Sequence, residues 1–177
     1  MKIKIKTKND LVHDIWSPAA AARQAVITMR FFLAGIMQGS RQDAGLHQQD
    51  YRARLARLIT THLPEADVYD PLADHPESVA YSDDDGRRVF YGHNRLCREV
   101  DVVIAFLPEA SMGTAIEMWE AHEHGRAAVL TISPLDHNWA VRFCSHAIYP
   151  DLESFENAVL SGKVLQTVKR VLASRQA

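Results

Sequence analysis

The sequence has few of the features that mark a disulfide-stabilised secreted domain or a membrane protein. Only two of its 177 residues are cysteine, Cys97 and Cys144, and neither has a second cysteine at the short spacing of a metal site. We therefore expect free thiols in a reducing cytoplasm rather than a disulfide or a zinc site. The longest relevant apolar run, residues 102–107, has the length of a strand, whereas a membrane helix needs roughly 20 apolar residues. No membrane partner is expected.

The chain also lacks an excess of charge of one sign. Its 20 basic and 22 acidic residues give a net charge of -2, so no basic face for a nucleic-acid polymer is expected. Hydrophobic residues make up 47% of the chain, an ordinary content for a globular protein, and the length suits one main domain. No nucleic-acid polymer is expected as a ligand.

The first 28 residues differ in pattern from the rest. Lysine alternates with isoleucine at the start, and Asp10, Asp14 and Arg23 then interrupt the apolar run that a signal peptide requires. The pattern of a buried strand begins only at Met29. We expect residues 1–28 to be an accessory extension or the result of an upstream misassigned start, with Met29 as a candidate initiator and the domain in residues 29–177.

Short apolar runs alternate with amphipathic segments from residue 31 onward, which indicates strands alternating with helices. The strands are expected at 31–36, 67–69, 102–106, 127–132 and 147–149, and the helices at 51–62, 88–98, 113–124, 137–144, 152–160 and 164–172. This alternation predicts an α/β fold, a flavodoxin-like doubly wound parallel sheet of about five strands with helices on both faces. Ligands of such sheets bind beyond the carboxyl ends of the strands.

Three local features complete the predicted fold. In the helix at 51–62, Arg52, Arg54 and Arg57 are placed on the arc opposite the apolar residues. The polar segment 74–86, which contains three consecutive aspartates at 83–85, is predicted to be a long solvated loop rather than a metal site. Gly125 is expected to cap the helix at 113–124.

The segment from Ser111 to Glu117 is typical of an active-site turn between a strand and a helix. Ser111 can cap free amides, and Gly113 permits the close backbone approach that an anion or a sugar needs. Glu117 follows about one turn later, and its side chain leans back toward the helix start. A carboxylate there can attack or stabilise an anomeric carbon during N-glycosidic cleavage, although a surface glutamate in a first helical turn explains the spacing equally simply.

The loop after the first strand is the second polar segment at this edge of the sheet. It runs from Gly35 to Arg41, whose guanidinium can hold a phosphate bidentately. It matches neither the dinucleotide-binding pattern nor a P-loop. An ordinary connection with a solvated arginine remains the alternative.

These segments together resemble the nucleoside 2-deoxyribosyltransferase superfamily, whose members exchange bases on 2-deoxyribose or release bases from nucleoside 5'-monophosphates. The resemblance covers most of residues 30–135 and rests on Phe32-Leu33-Ala34-Gly35, the helix at 51–58, Asp101-Val102-Val103-Ile104-Ala105, Ser111-x-Gly113-Thr114-x-x-Glu117 and Ala121-x-x-x-Gly125.

The resemblance implies that Glu117 is the catalytic glutamate. Transferases of the superfamily typically carry aspartate six residues before it, whereas the nucleotide hydrolases carry serine, as this chain does at Ser111. The hydrolases also end their first loop with an arginine near the phosphate, at the offset of Arg41 from Gly35. A nucleoside 5'-monophosphate is therefore the expected substrate, with base exchange on 2-deoxyribose and noncatalytic nucleotide binding as the alternatives.

The chain departs from the family at His93, where the hydrolases usually have an aspartate that handles the base or the sugar hydroxyl. Histidine with its unperturbed pKa of about 6.5 can protonate a departing base. An equally good explanation is that His93 has no catalytic role and only occupies a helix, with Asn94 as an alternative contact to the substrate.

The remaining expectations concern weaker candidates and assembly. Asp70 faces the site if the topology is right, although an Asp-Pro pair commonly just ends a strand. Asn138 is a candidate sugar or phosphate contact, in a segment that superfamily members often send into a neighbouring subunit, so a homodimer or higher homo-oligomer is expected. Ile116, Met118 and Trp119 have spacings that suit core or dimer packing, with the core favoured for at least two of them. No cofactor or metal is expected.

Overall fold

Five parallel strands form the centre of the structure. The computed structural model describes residues 28–38, 45–63 and 65–175, and the strands are β1 (Met29–Gly35), β2 (Ala66–Tyr69), β3 (Val102–Phe106), β4 (Ala128–Ile132) and β5 (Ala147–Tyr149). They lie in the order β2-β1-β3-β4-β5, and each neighbouring pair is parallel. The predicted fold class is confirmed.

Helices connect the strands and cover the sheet. They are α1 (Asp50–His62), α2 (Pro71–Asp74), α3 (Asp83–Glu99), α4 (Met112–Trp119), α5 (Trp139–Cys144), α6 (Leu152–Leu160) and α7 (Lys163–Ser174). A 3-10 turn at Ser78–Ala80 precedes α3, and a π-helical turn at Glu120–His124 continues α4. Among the helices of the described residues, none has the length and apolar content needed to cross a membrane.

Side chains of the central strands alternate between two hydrophobic cores. In β3, Val102 and Ile104 pack on one side of the sheet, and Val103 and Ala105 pack on the other. The first core is closed by α1, α6 and α7, and the second by α3, α4 and α5. Strands covered on both faces have continuous apolar sequences, which explains why the central strands could be predicted from the sequence.

The segment predicted to be a loop, residues 74–86, is partly helical. The Ser82 hydroxyl accepts a hydrogen bond from the Asp85 amide at 3.3 Å, which caps α3. Asp83, Asp84 and Asp85 occupy the first turn of that helix, where the helix dipole favours negative charge. The acidic run is therefore a helix start, and α3 begins at Asp83 rather than at residue 88.

The solvent-facing placement of Arg52 is also wrong. Arg52 is only 2% exposed, because positions 52, 55 and 59 share one face of α1 and Leu55 and Ile59 are buried in the core. Arg54 and Arg57 are exposed. Arg52 thus lies beneath the carboxyl ends of the strands instead of in solvent.

Gly125 is the C-terminal cap of the π-helical turn that continues α4, at the position predicted from the sequence. Its backbone is extended, with φ -106° and ψ -172°. Space is the reason for a glycine at this position, since a Cβ would lie 2.9 Å from the carbonyl oxygen of Ala121 and 3.0 Å from the Cα of Arg98. Gly125 therefore allows the end of the π-helical turn to approach α3.

Candidate functional site

A cavity of about 470 Å³ opens at the carboxyl ends of β1 and β3. These strands are neighbours in space, but the chain proceeds from β1 outward to β2 and from β3 outward to β4. Such a reversal of strand order is the position where open α/β sheets bind their ligands. Gly35 lines the cavity from the end of β1, and Ser111, Gly113 and Glu117 line it from α4. The described part of the first predicted polar segment and the second segment therefore line one cavity.

The start of α4 is built to hold an oxygen-rich group. Ser111 has extended backbone and caps the helix, since its hydroxyl oxygen accepts from the Thr114 amide at 3.4 Å and from the Thr114 hydroxyl at 3.1 Å. The Ser111 hydroxyl proton is then free to be donated to a ligand. The amides of Met112 and Gly113 belong to the first turn and have no acceptor within the helix. This end of the cavity therefore favours an anion.

Glu117 supplies the carboxyl group of the cavity. The residue is half-buried, with its open side toward the cavity. Burial raises the pKa of its carboxyl to about 8, and the nearby positive charge of Arg52 partly opposes this. The charge of Glu117 also acts on Tyr51, at the start of α1, and on Cys97, near the end of α3. Near neutral pH the group is mostly protonated.

Arg52 connects the ends of β1 and β2 below the cavity. Its Nη1 donates to the carbonyl of Leu33 at 2.9 Å and to the Asp70 carboxylate at 3.0 Å, and its Nη2 donates to the carbonyl of Gly35 at 3.3 Å. Its Nε donates to Gln49 at 2.7 Å. Each donor group thus has a partner, which a buried guanidinium requires.

Position 35 requires a glycine because the Tyr51 side chain lies directly against it. A Cβ at position 35 would overlap the Tyr51 hydroxyl. Tyr51 is 6% exposed and stacks on Phe106 with ring centroids 4.2 Å apart, so it has little room to move. The close contact between Gly35 and Tyr51 sets the shape of the cavity at the end of β1.

His93 lines the cavity from α3 and is held by an aromatic neighbour. Its Nε2 lies 3.1 Å from the Tyr69 hydroxyl. Burial, with the charges of His75 and Arg52, lowers the pKa of His93 to about 4. The imidazole is therefore neutral near pH 7, unlike the proton donor of ordinary pKa that the sequence suggests.

Two predicted binding residues are placed outside the lining of this cavity. Asp70 accepts from the Leu72 amide at 3.0 Å and caps α2, in addition to pairing with Arg52. Asn138 is exposed and caps α5 by accepting from the Ala140 amide at 3.0 Å. Asp70 therefore supports the cavity from below, and a ligand role for Asn138 stays a prediction.

Parts of two predictions fall on residues that the structure does not describe. Arg41 lies in the stretch 39–44, outside the described residues, so its phosphate contact stays a prediction. Met37, Gln38 and Leu46 flank that stretch and line the cavity. Apart from Thr28, the expected N-terminal extension also lies outside the described residues.

Several residues that shape the site were not predicted to belong to it. Arg52 has a visible signal, since it is in helical register with Leu55 and Ile59. Tyr69 and His75 have no such signal in the sequence, because their contacts with His93 depend on the packing of α3 against the end of β2. The same applies to Val79, Tyr81 and Phe90, which give the cavity an apolar wall.

Comparisons with known proteins identify the fold. No model of a protein family and no curated protein matches the chain. Among solved structures, a 2-deoxyribosyltransferase from the psychrotolerant bacterium Bacillus psychrosaccharolyticus is 19% identical, with a TM-score of 0.55, over 72% of this chain and 90% of that one. A conserved protein from Enterococcus faecalis V583 is 16% identical, with a TM-score of 0.55, over 76% of this chain and 98% of that one. The chain thus shares its fold with a 2-deoxyribosyltransferase.

Proposed function

We propose that this protein cleaves the N-glycosidic bond of a nucleoside 5'-monophosphate, with Glu117 acting at the anomeric carbon. The observation that supports this most is that Glu117 and the amides of Met112 and Gly113, which have no acceptor within α4, belong to residues that line one cavity at the reversal of strand order. A site that cleaves a nucleotide in this way needs a carboxyl group beside the sugar and an anion-binding region for the phosphate. The fold shared with a 2-deoxyribosyltransferase supports the same chemistry.

The cavity divides into ends of different chemistry that suit the parts of such a substrate. The phosphate is assigned to Ser111 and the amides of Met112 and Gly113, with Arg41 as a further expected contact. The apolar wall formed by Val79 and Phe90 suits the flat base. Glu117 then lies beside the sugar, where an ionised carboxylate stabilises an oxocarbenium-like transition state or bonds to it.

Transfer of 2-deoxyribose to a second base is the alternative function. It is favoured by the structural neighbour, which is a 2-deoxyribosyltransferase. Ser111 favours a nucleoside 5'-monophosphate as substrate, because its hydroxyl proton and the neighbouring amides suit a phosphate. It therefore favours hydrolysis, the reaction of the superfamily members that act on such nucleotides. The two reactions share Glu117 and differ in the group that removes the sugar from it.

The decisive experiment is incubation with a panel of nucleosides and 5'-monophosphates, followed by chromatography of the released base. We expect release from a 5'-monophosphate and a loss of about 100-fold or more in Glu117→Ala, the effect of removing a group that stabilises transition-state charge. Glu120→Ala is the matched control, because Glu120 lies in the π-helical turn that follows α4. Base release that survives Glu117→Ala would rule out the mechanism.

Adding a second free base separates the alternatives. A hydrolase yields only the sugar phosphate and the first base, whereas a transferase yields a new nucleoside or nucleotide. Tight nucleotide binding with no product after prolonged incubation would instead identify a noncatalytic nucleotide-binding module.

We also propose that the protein forms a homodimer through α4 and α5. Met118 is buried in the core, as expected, but Ile116 is 40% exposed and Trp119 is 50% exposed, which corrects the expectation that at least two of the three are core residues. Trp139 and Phe143 on the adjacent α5 are also exposed. Large apolar side chains grouped in this way are typical of protein interfaces.

A further inference from the structure

The Ser111 hydroxyl at the start of α4 is held by two hydrogen bonds from one residue. The Thr114 amide donates to Ser111 Oγ at 3.4 Å, and the Thr114 hydroxyl donates to the same oxygen at 3.1 Å. Both residues line the cavity, but Thr114 is only 2% exposed, whereas Ser111 is half-buried. A ligand at this end of the cavity therefore has better access to Ser111 than to Thr114.

These two hydrogen bonds determine what the Ser111 hydroxyl can offer to a ligand. A serine oxygen has two lone pairs and one proton. Both lone pairs are directed to donors of Thr114, so the proton takes the remaining direction, away from Thr114. Among the described residues, no acceptor for that proton is found. Toward the contents of the cavity, Ser111 is therefore a donor and not an acceptor.

Helix capping alone does not explain the bond made by the Thr114 hydroxyl. Thr114 is the third residue of α4, where the glutamate or glutamine of a capping box would accept from the amide of the capping residue. The Thr114 hydroxyl donates instead, and to the Ser111 side chain, so it satisfies none of the free amides of the first turn. Its effect is on the orientation of the Ser111 proton.

The start of α4 consequently offers donors to a ligand. The amides of Met112 and Gly113 have no acceptor within the helix, and the Ser111 carbonyl accepts from the Ala115 amide at 3.0 Å. Ionised phosphate oxygens only accept, whereas a sugar hydroxyl also carries a proton that needs an acceptor. A hydroxyl bound here would leave its proton without a partner, and unpaired polar groups are a strong basis for rejecting a ligand.

We propose that Thr114 is a positioning residue that sets the selectivity of this site for a 5'-phosphate over a 5'-hydroxyl, by fixing the Ser111 hydroxyl as a donor. This rests on the proposed function, since it concerns the phosphate end of the same cavity. Without the Thr114 hydroxyl, Ser111 Oγ regains a lone pair that can accept the proton of a 5'-hydroxyl. Thr114 thus disfavours nucleosides by acting through Ser111.

This selectivity can be measured with ligands that lack a base. NMR titrations with the 5-phosphates of ribose and 2-deoxyribose, and with the two free sugars, give the ratio of the dissociation constants. We expect the wild type to prefer the phosphates, and Thr114→Val, which keeps the shape of the side chain, to reduce this preference about fivefold or more, the effect of one hydrogen bond. Thr114→Ser keeps the hydroxyl and should keep the preference.

Two further variants separate selectivity from folding. Thr131→Val removes another buried threonine hydroxyl, which lies 2.6 Å from the Ser145 hydroxyl and outside the cavity lining, so it should leave the ratio unchanged. In a Ser111→Ala background, Thr114→Val should have no further effect, because its effect passes through Ser111 Oγ. Urea unfolding checks that each variant is folded under the conditions of the titration.

Different failures have different meanings. An unchanged ratio in Thr114→Val, an equal fall in Thr131→Val, or a further fall in the Ser111→Ala background would overturn the role of Thr114 while leaving base release by Glu117 intact. A wild type that binds neither kind of sugar, or binds both equally, would also overturn it. Absence of base release by the wild type would overturn the proposed function, whereas a preference that falls in Thr114→Val alone would still support the role of Thr114 in anion binding.

Discussion

In the proposed reaction, Glu117 has to lose a proton before it can act on an anomeric carbon. Its ordinary pKa of 4.5 is raised to about 8 in the folded protein, so the carboxylate is a minor form near neutral pH and the major form above pH 8. A buried carboxyl surrounded by few charges is the usual cause of such a shift. Groups with perturbed pKa values often lie at functional sites.

The first prediction follows from this ionisation. In the proposed mechanism only ionised Glu117 is active, so the value of kcat/KM for base release should rise about tenfold per pH unit below pH 8 and level off above it. Steady-state rates with low substrate across about pH 6 to 9 measure this. Arg52→Met should move the rise to higher pH, since the Arg52 charge lowers the pKa of Glu117. A flat profile over that range would contradict the prediction.

Gly35 gives a second prediction at the scale of one residue. Gly35→Ala should destabilise the protein by about 1–3 kcal/mol, the usual cost of overpacking, because the added Cβ overlaps the Tyr51 hydroxyl. Urea unfolding measures the loss, and Tyr51→Phe in the same chain should restore part of it. Gly113→Ala is the matched control, since a Cβ there meets nothing within 4 Å. Equal stability of the two alanine variants would refute the steric explanation.

Residues of the site that are close in sequence could be predicted, and those brought together by packing could not. Ser111, Gly113 and Glu117 belong to one turn and one helix, so their spacing is enough to place them together. The partner of His93 is Tyr69, from another strand, and no local pattern links the two. The shifted pKa of His93 also comes from burial and from residues distant in sequence.

Strands and helices could be predicted where their sequence pattern depends only on residues within the same segment. The central strands are apolar throughout because both faces are covered. The start of α3 was missed because a run of aspartates is found in loops as well as in first helical turns. Arg52 shares the helical register of Leu55 and Ile59, but its burial was missed because its ion-pair partner Asp70 follows strand β2 and no local pattern links the two.

Helix α1 carries a buried and an exposed ion pair that make a direct comparison possible. Arg52→Met should cost about 3–5 kcal/mol, because it leaves the Asp70 carboxylate without its buried partner. Arg54→Met on the same helix removes a solvent-exposed ion pair with Glu156, whose arginine is 52% exposed, and should cost much less than Arg52→Met. Urea unfolding of both variants gives the difference. Similar losses would show that Arg52 does not support the strand ends as described.

At the scale of the whole molecule, the exposed apolar side chains of α4 and α5 predict self-association. Sedimentation velocity should show a dimer for the wild type and a monomer for Trp119→Glu combined with Trp139→Glu, because charge in an apolar interface is costly. Leu160→Glu is the control, since Leu160 is 61% exposed but lies on α6, on the other face of the sheet. A monomeric wild type, or a dimer unaffected by the tryptophan changes, would contradict this interface.

The pairing of β1 with β3 has a consequence for how the molecule acquires its cavity. Residues 31 and 102 are partners in register, so contact between these strands closes a long loop that contains β2, α1 and α3. Closing such a loop loses chain entropy before the contacts compensate for it, and folds with many distant contacts form slowly. A chain emerging from the ribosome can therefore build α1 and β2 early, but it has no cavity until β3 has been synthesised and has found its place beside β1.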